Sequence, residues 1–204
     1  MADNRAIQAV GEAVANLLRG SHDPADFGTV LDFRVITSGD FGTNQIVSGA
    51  SLFLYWVIQN GSHRIPAGRL NAQGQRLQTR LPVDLHYLVT FWGADASMQH
   101  AIAGWAMRVL EDTPLLTSGV LNAAVPGSFR SDEVVDFSLS ELSNEDLLRI
   151  WEVLGLNQYQ LSVPYVARNV LIESTQRLRD GGGEPVQQRD QDAGVFRAAE
   201  AFTG

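Results

Sequence analysis

Residues 51–60, SLFLYWVIQN, and residues 81–92, LPVDLHYLVTFW, are the two stretches whose reading decides the fold. In the first, Leu52, Leu54, Trp56 and Ile58 alternate with Phe53, Tyr55 and Val57, so both faces of the strand are apolar. Such a strand sits centrally, covered on both sides, or lays one face against another subunit. In the second, Val83, Leu85, Tyr87, Val89 and Phe91 alternate with Asp84, His86, Leu88, Thr90 and Trp92, which gives an apolar face and a mixed one. The polar connection from Gly61 to Arg80 joins them, so the pair reads as a β-hairpin with an extended tip. That tip is longer than a compact fold needs, which marks it as functional or unstructured.

Working outward, residues 4–19 place Ile7, Val10, Val14, Leu17 and Leu18 on one stripe of an amphipathic helix. Residues 29–37, TVLDFRVIT, put Leu31, Phe33 and Val35 on one face of a half-buried strand. Residues 97–111 form a second helix, with Ile102, Trp105, Ala106, Val109 and Leu110 facing the core. A short acidic strand, EVVDFSLS, follows at 133–140. Ser143, with Asp146 three residues on, resembles a capping box and starts a third helix; Leu147, Leu148, Trp151 and Leu154 supply its stripe and Gly155 its C-cap. The last strand, within 159–174, contains Pro164, which points to an edge or a bulge. Beyond it the pattern collapses around three consecutive glycines, with a short docking element at Val195-Phe196 or at Ala198 to Phe202. The order α-β-β-β-α-β-α-β describes one α+β (mixed α/β) domain over 1–173 and a flexible carboxy-terminal arm over 174–204.

The composition agrees with a single core: 204 residues, 45% apolar and 19% charged. A formal charge of −8 argues against nucleic acid as a partner. All fifteen basic residues are arginine, and there is no cysteine. Disulfides, thiol nucleophiles and cysteine metal sites are thereby excluded, as are a standard P-loop and a Schiff-base lysine. Neither an uninterrupted apolar run long enough for a membrane span nor a signal-peptide pattern is present, so a soluble protein made inside the cell is expected.

Catalytic motifs are missing as well. Neither HExxH, GxSxG nor GxGxxG occurs. Asp84 and His86 share a strand face and could bind zinc with His63, His100 or another carboxylate, but the polar side of a half-buried strand explains them equally. The carboxylate pairs Asp132-Glu133 and Glu145-Asp146 fall at a strand start and in a helix first turn, where the second pair complements the helix dipole. The expectation is a protein without enzymatic activity, metal or cofactor.

Charge is segregated along the chain. Arg64, Arg69, Arg76 and Arg80 lie in a connection without one acidic residue, whereas Asp132, Glu133, Asp136, Glu141, Glu145 and Asp146 lie in a stretch without a basic one. Runs of this kind mark solvated faces. The alternative is that the basic loop of one subunit meets the acidic surface of the next, which suits a head-to-tail ring.

SLFLYWVIQN, LPVDLHYLVTFWG, HAIAGWAMRVLEDTPLL, LSNEDLLRIWEVLG and LSVPYVARNVLIES, in this order and at these distances, resemble the amino-terminal domain of the cap, or tail terminator, of phage-tail-like contractile injection systems. The resemblance runs from about residue 5 to 173. It implies a fold similar to phage tail terminators, with a mixed β-sheet flanked by helices, and a six-fold ring. The ring is expected to end the inner tube distal to the baseplate and to contact the last sheath ring, in a particle assembled in the cytoplasm and in many systems released. Positions 52–59, 82–92, 105–115 and 161–172 carry over as fold-defining hydrophobes, and residues 174–204 as an arm towards the sheath. Partners implied are further copies of the chain, the tube protein and the sheath protein. The rival readings are a non-catalytic adaptor or structural oligomer of another assembly, and an unrecognised hydrolase-type enzyme built around Asp84 and His86.

Overall fold

The computed structural model describes residues 4–42, 46–61, 80–154 and 159–173. The hairpin tip with Arg64, Arg69 and Arg76, the Gly155 cap and the arm over 174–204 lie outside the described residues. The remainder is an α+β domain around a mixed six-stranded sheet.

Helix α1 (Ala6–Ser21) buries Ala9, Val10, Ala13, Val14 and Leu18 along one stripe. Its small residues bring it close to the sheet, and a Cβ at Gly11 would press on the Val35 side chain at 3.3 Å. A single turn, α2 (Pro24–Phe27), is capped by Asp23 and leads to β1 (Asp32–Ile36). Strand β1 runs parallel to β2 (Gly49–Gln59), and the crossing is tight at the start of β2. Gly49 has φ +146°, and a Cβ there would stand 1.9 Å from the Asp32 carbonyl oxygen, so both backbone conformation and space demand glycine. The expected hairpin is present: β2 pairs antiparallel with β3 (Leu81–Trp92).

Beyond β3, helix α3 (Ala96–Asp112) starts from Asp95, whose Oδ1 accepts the Met98 N–H at 2.8 Å. Two short elements absent from the sequence reading follow, β4 (Leu115–Thr117) and α4 (Ser118–Ala124). Strand β5 (Val134–Leu139), helix α5 (Asn144–Val153) and strand β6 (Ser162–Ile172) complete the chain order. The sheet order is β1-β2-β3-β6-β5-β4, with every pair but β1–β2 antiparallel.

Strand β6 is therefore interior, between β3 and β5, and not the edge that Pro164 suggested. The proline is tolerated because it lies where β5 runs out: Leu139 pairs with Tyr165, and beyond it only the Ser140 N–H reaches the Pro164 carbonyl, at 3.0 Å. The bulge sits further along β6 instead. Val83 faces Val170 and Leu85 faces Ala167, so Arg168 and Asn169 together oppose Asp84, and Asn169 takes the left-handed conformation at φ 62°.

The two faces of the sheet are covered unequally. Helices α1, α3 and α4 seal one face over Phe33, Leu52, Leu85, Tyr87, Val89, Phe91, Phe137 and Tyr165. On the other face a smaller cluster forms where Trp151 of α5 packs with Ile36, Phe41 and Leu88. Both outer strands are protected. His22 Nε2 accepts the outward Leu31 N–H at 3.1 Å just before β1, and Arg19 donates to the outward Phe33 carbonyl at 2.6 Å, so the start of this edge is covered. At the opposite edge β4 is three residues long and follows Pro114.

Candidate functional site

The unequal cover leaves an open groove on the second face of the sheet. Its central feature begins in β2. Leu54 pairs with Tyr87 but Trp56 pairs with His86, so Tyr55 is an inserted residue. The expected alternation breaks there, and Trp56 turns to the same side as Phe53, Tyr55 and His86 instead of continuing the Leu52–Leu54 face.

Opposite these aromatics stands α5. The Ser143 hydroxyl accepts the Asp146 N–H at 3.1 Å and donates to the Asp146 carboxylate at 2.6 Å, fixing the first turn as the sequence reading expected. Trp151 anchors the helix, 3% exposed, with its ring against Phe41 and Tyr159 at centroid distances of 5.3 and 5.6 Å. Leu148 points outward, contrary to its expected place on the stripe.

Between α5 and β2 runs an open groove of about 850 Å³ with Phe53, Tyr55, Trp56, Ile150, Val153 and Leu154 in its walls. Trp56 is 57% exposed and Val153 86%, so large apolar surfaces stand free at its rim. Asp146 and Arg149 bring opposite charges to the same rim. Burial, and then the negative charge of Asp146, raise the Tyr55 phenol above its ordinary pKa of 10. The Tyr55 hydroxyl therefore stays neutral and is available as a hydrogen-bond donor.

Beyond the groove the sheet face is polar. His86 lies against Tyr55 and Trp56, with centroids 6.1 and 5.5 Å away, and burial lowers its imidazole pKa despite the pull of Asp84. Asp84 accepts the Asn169 N–H at 2.9 Å and the Asn60 amide at 3.1 Å. The carboxylate thus holds the β6 bulge, which supports the reading of Asp84 and His86 as the polar side of a strand. Among the described residues no group of three His, Asp or Glu could hold a metal ion.

The arginine and carboxylate candidates fall into a second region. Arg80 directs its Nε to Glu173 at 2.6 Å, and Arg130 pairs with the other oxygen of the same carboxylate. The Glu173 side chain is only 8% exposed. Asp132 and Glu133 line a small polar cavity with Arg80, so the structure brings Arg80 beside two of the acidic candidates within one chain. The Glu133 carboxylate accepts the Arg130 N–H at 2.7 Å. Asp136 accepts from Ser138 and lies 3.9 Å from Arg168, and Glu145 pairs with Arg149 one turn on. Glu141 is exposed. Segregation along the chain is thus not segregation in space, because Arg130, Arg149 and Arg168 close on the acidic stretch from outside it. Sequence reasoning missed Glu173, whose partners are distant in the chain and share no local pattern with it.

Comparison with known proteins locates this architecture. The family described as the Pvc16 N-terminal domain matches residues 9–187. Among solved structures, the sheath/tube terminator of an extracellular contractile injection system, PVC, in its extended state, shares the fold at a TM-score of 0.59 and 19% identity. The alignment covers 88% of this chain and 60% of that one. The tube-terminating cap of the anti-feeding prophage matches equally, with a TM-score of 0.59, 19% identity and coverage of 87% and 58%. This chain therefore spans about 60% of the length of the structures it resembles. No curated protein matches.

Proposed function

Because the chain belongs to the Pvc16 N-terminal domain family, we propose that it is a structural cap, which terminates the inner tube and contacts the last sheath ring at the baseplate-distal end of a contractile injection system. The observation that carries this reading is the fold shared with a tube terminator over 88% of the chain. The geometry supports it in physical terms. A tube of stacked rings grows because each ring offers a surface to the next, and a terminator must match that surface on one side only. Here one face of the sheet is sealed by α1, α3 and α4, while the other carries an open aromatic groove.

In this proposal the cap domain spans 1–173, and 174–204 form an arm towards the sheath. The chain closes into a hexameric ring, with Arg64, Arg69, Arg76 and Arg80 of one subunit facing Asp132, Glu133, Asp136, Glu141, Glu145 and Asp146 of the next. It binds tube and sheath proteins, has no enzymatic activity, and is assembled in the cytoplasm as part of a particle of a kind that many systems release. Among the described residues no helix is long and apolar enough to cross a membrane.

Light scattering on a size-exclusion column, followed by co-sedimentation with purified tube protein, tests the reading. Six copies of the 22.3 kDa chain, bound to tube ends and blocking further addition of tube protein, are expected. Tube growth at an unchanged rate in the presence of the chain would overturn the cap role. The ring interface is best tested with Arg64, Arg69 and Arg76 changed to glutamate together. That variant leaves the internal Arg80–Glu173 pair intact, and ring formation unaffected by it would exclude the arginine contact.

A further inference from the structure

We propose that Asn60 is a site of self-modification, converting to aspartate and isoaspartate by attack of the Gly61 nitrogen, and that the product unclamps the β6 bulge. Asparagine is a thermally labile residue, because its side-chain amide can be displaced by the next backbone nitrogen. Asn60 is the one asparagine of the chain followed by glycine. It stands one residue past the end of β2, half-buried, with Gly61 exposed beside it. A Cβ at Gly61 would meet nothing within 4 Å among the described residues, so this backbone has both the space and the freedom of glycine to close a ring.

In the reaction the Gly61 amide nitrogen gives its proton to solvent and attacks Cγ of Asn60. The new C–N bond closes a five-membered succinimide as the bond from Cγ to Nδ2 breaks, and Nδ2 takes up a proton and leaves as ammonia. Water then opens the ring at either carbonyl. One opening gives aspartate; the other gives isoaspartate, in which the main chain runs through the former side chain. Nothing is oxidised or reduced, and water is the sole co-reactant.

The place in the fold gives this change its effect. Asn60 Nδ2 donates to both oxygens of Asp84, at 3.1 and 3.3 Å, and lies 3.4 Å from Asn169 Oδ1. These contacts are at the long end of the hydrogen-bond range, and they hold the atom that departs. The product sets a carboxylate opposite the Asp84 carboxylate in place of a donor, and like charges so placed repel. Asp84 also accepts the Asn169 N–H at 2.9 Å, which helps to hold a non-glycine residue at φ 62° in the bulge. Isoaspartate further lengthens the main chain by one carbon at the residue whose N–H donates to the Pro82 carbonyl at 2.9 Å. One reaction thus loosens β3 from both of its neighbours, β2 and β6. This chemistry does not depend on the cap role.

The full chain, incubated at pH 8 and 37 °C and followed by peptide mass, tests the site. A gain of one mass unit is expected at Asn60 at least about 10-fold faster than at any other asparagine, and Gly61→Ala, for which there is room, should slow it by about 10-fold. Faster conversion at another asparagine, or a rate at Asn60 unchanged by Gly61→Ala, would overturn the assignment. Asn60→Asp reproduces the aspartate product, whereas Asn60→Ala removes the donor without adding charge. Amide exchange at Asn169 should be about 10-fold faster in Asn60→Asp than in the parent, and faster than in Asn60→Ala. Exchange that is unchanged, or that rises equally in the two variants, would overturn the unclamping by like charge.

Discussion

Glu173 accepts a hydrogen bond from Arg130 and forms an ion pair with Arg80 at the point where the start of β3, the end of β6 and the loop before β5 meet. Glu173→Ala leaves Arg80 and Arg130 side by side with their shared counter-charge gone. Removing one partner of a fully buried pair costs about 3–5 kcal/mol, whereas exposed pairs contribute about 0–1. The carboxylate is nearly buried, but the arginines are 20% and 29% exposed and recover part of their hydration. The expected loss is therefore about 2–3 kcal/mol, between the two limits. With a urea m-value of about 2 kcal/mol/M, the unfolding midpoint should fall by about 1–1.5 M. Glu173→Gln keeps the shape and one acceptor, so a smaller loss is expected. Arg80→Met and Arg130→Met in double-mutant cycles with Glu173→Ala should each return a coupling energy above about 0.5 kcal/mol. A Glu173→Ala variant that unfolds within about 0.5 kcal/mol of the parent would refute the view that this cluster pins the three elements together.

Three other perturbations probe different parts of the fold. Gly49→Ala forces a Cβ against the Asp32 carbonyl at a backbone angle unfavourable to side chains, so β1 should separate from β2; rapid amide exchange at Ala50 and Leu52, whose N–H groups face β1, would reveal this. Trp151→Ala removes the buried anchor of α5 and should cost about 3–5 kcal/mol by urea titration, with loss of near-UV ellipticity. Burial lowers the His86 pKa from 6.5, opposed by Asp84 and helped by Arg168, so the folded protein disfavours the imidazolium. Stability from this source is complete above the unfolded value of 6.5 and is lost as pH falls through the lowered folded value. His86→Gln should therefore reduce the drop in urea midpoint between pH 7.5 and pH 5, and an identical drop in both proteins would contradict the assignment.

Periodicity was sufficient where an element is long and faces one environment. Helices α1, α3 and α5 and the β2–β3 hairpin follow from the spacing of Val10 and Val14, of Ile102, Ala106 and Leu110, and from Val83 to Phe91. It failed where the element spans fewer than two full periods. Three residues of β4 and seven of α4 cannot display a pattern, although Leu116 and Leu121 are both buried. It failed again at Tyr55, because an inserted residue changes the face of everything after it and only pairing with β3 reveals the insertion. Pro164 misled because a missing donor marks a place without a neighbour, which the end of β5 provides inside the sheet. Half of the groove was legible, in Ser143, Leu147 and Trp151. The other half required the bulge. The Arg80–Glu173–Arg130 cluster had no local signature, since its members meet only through strand register.

The guarding of β1 by Arg19 and His22 has a kinetic consequence. Both residues lie at the carboxy-terminal end of α1, where helices fray most easily. A brief loosening of that last turn strips the cover from the outward groups of Leu31 and Phe33 while the rest of the domain stays folded. The exposed strand then becomes a template for other chains, so aggregation begins from a nearly native molecule and not from the unfolded one. The lag before turbidity in a concentrated sample should accordingly follow the local opening of residues 18–22, and a variant that stiffens this turn should stay clear for longer even when its global unfolding midpoint has not moved.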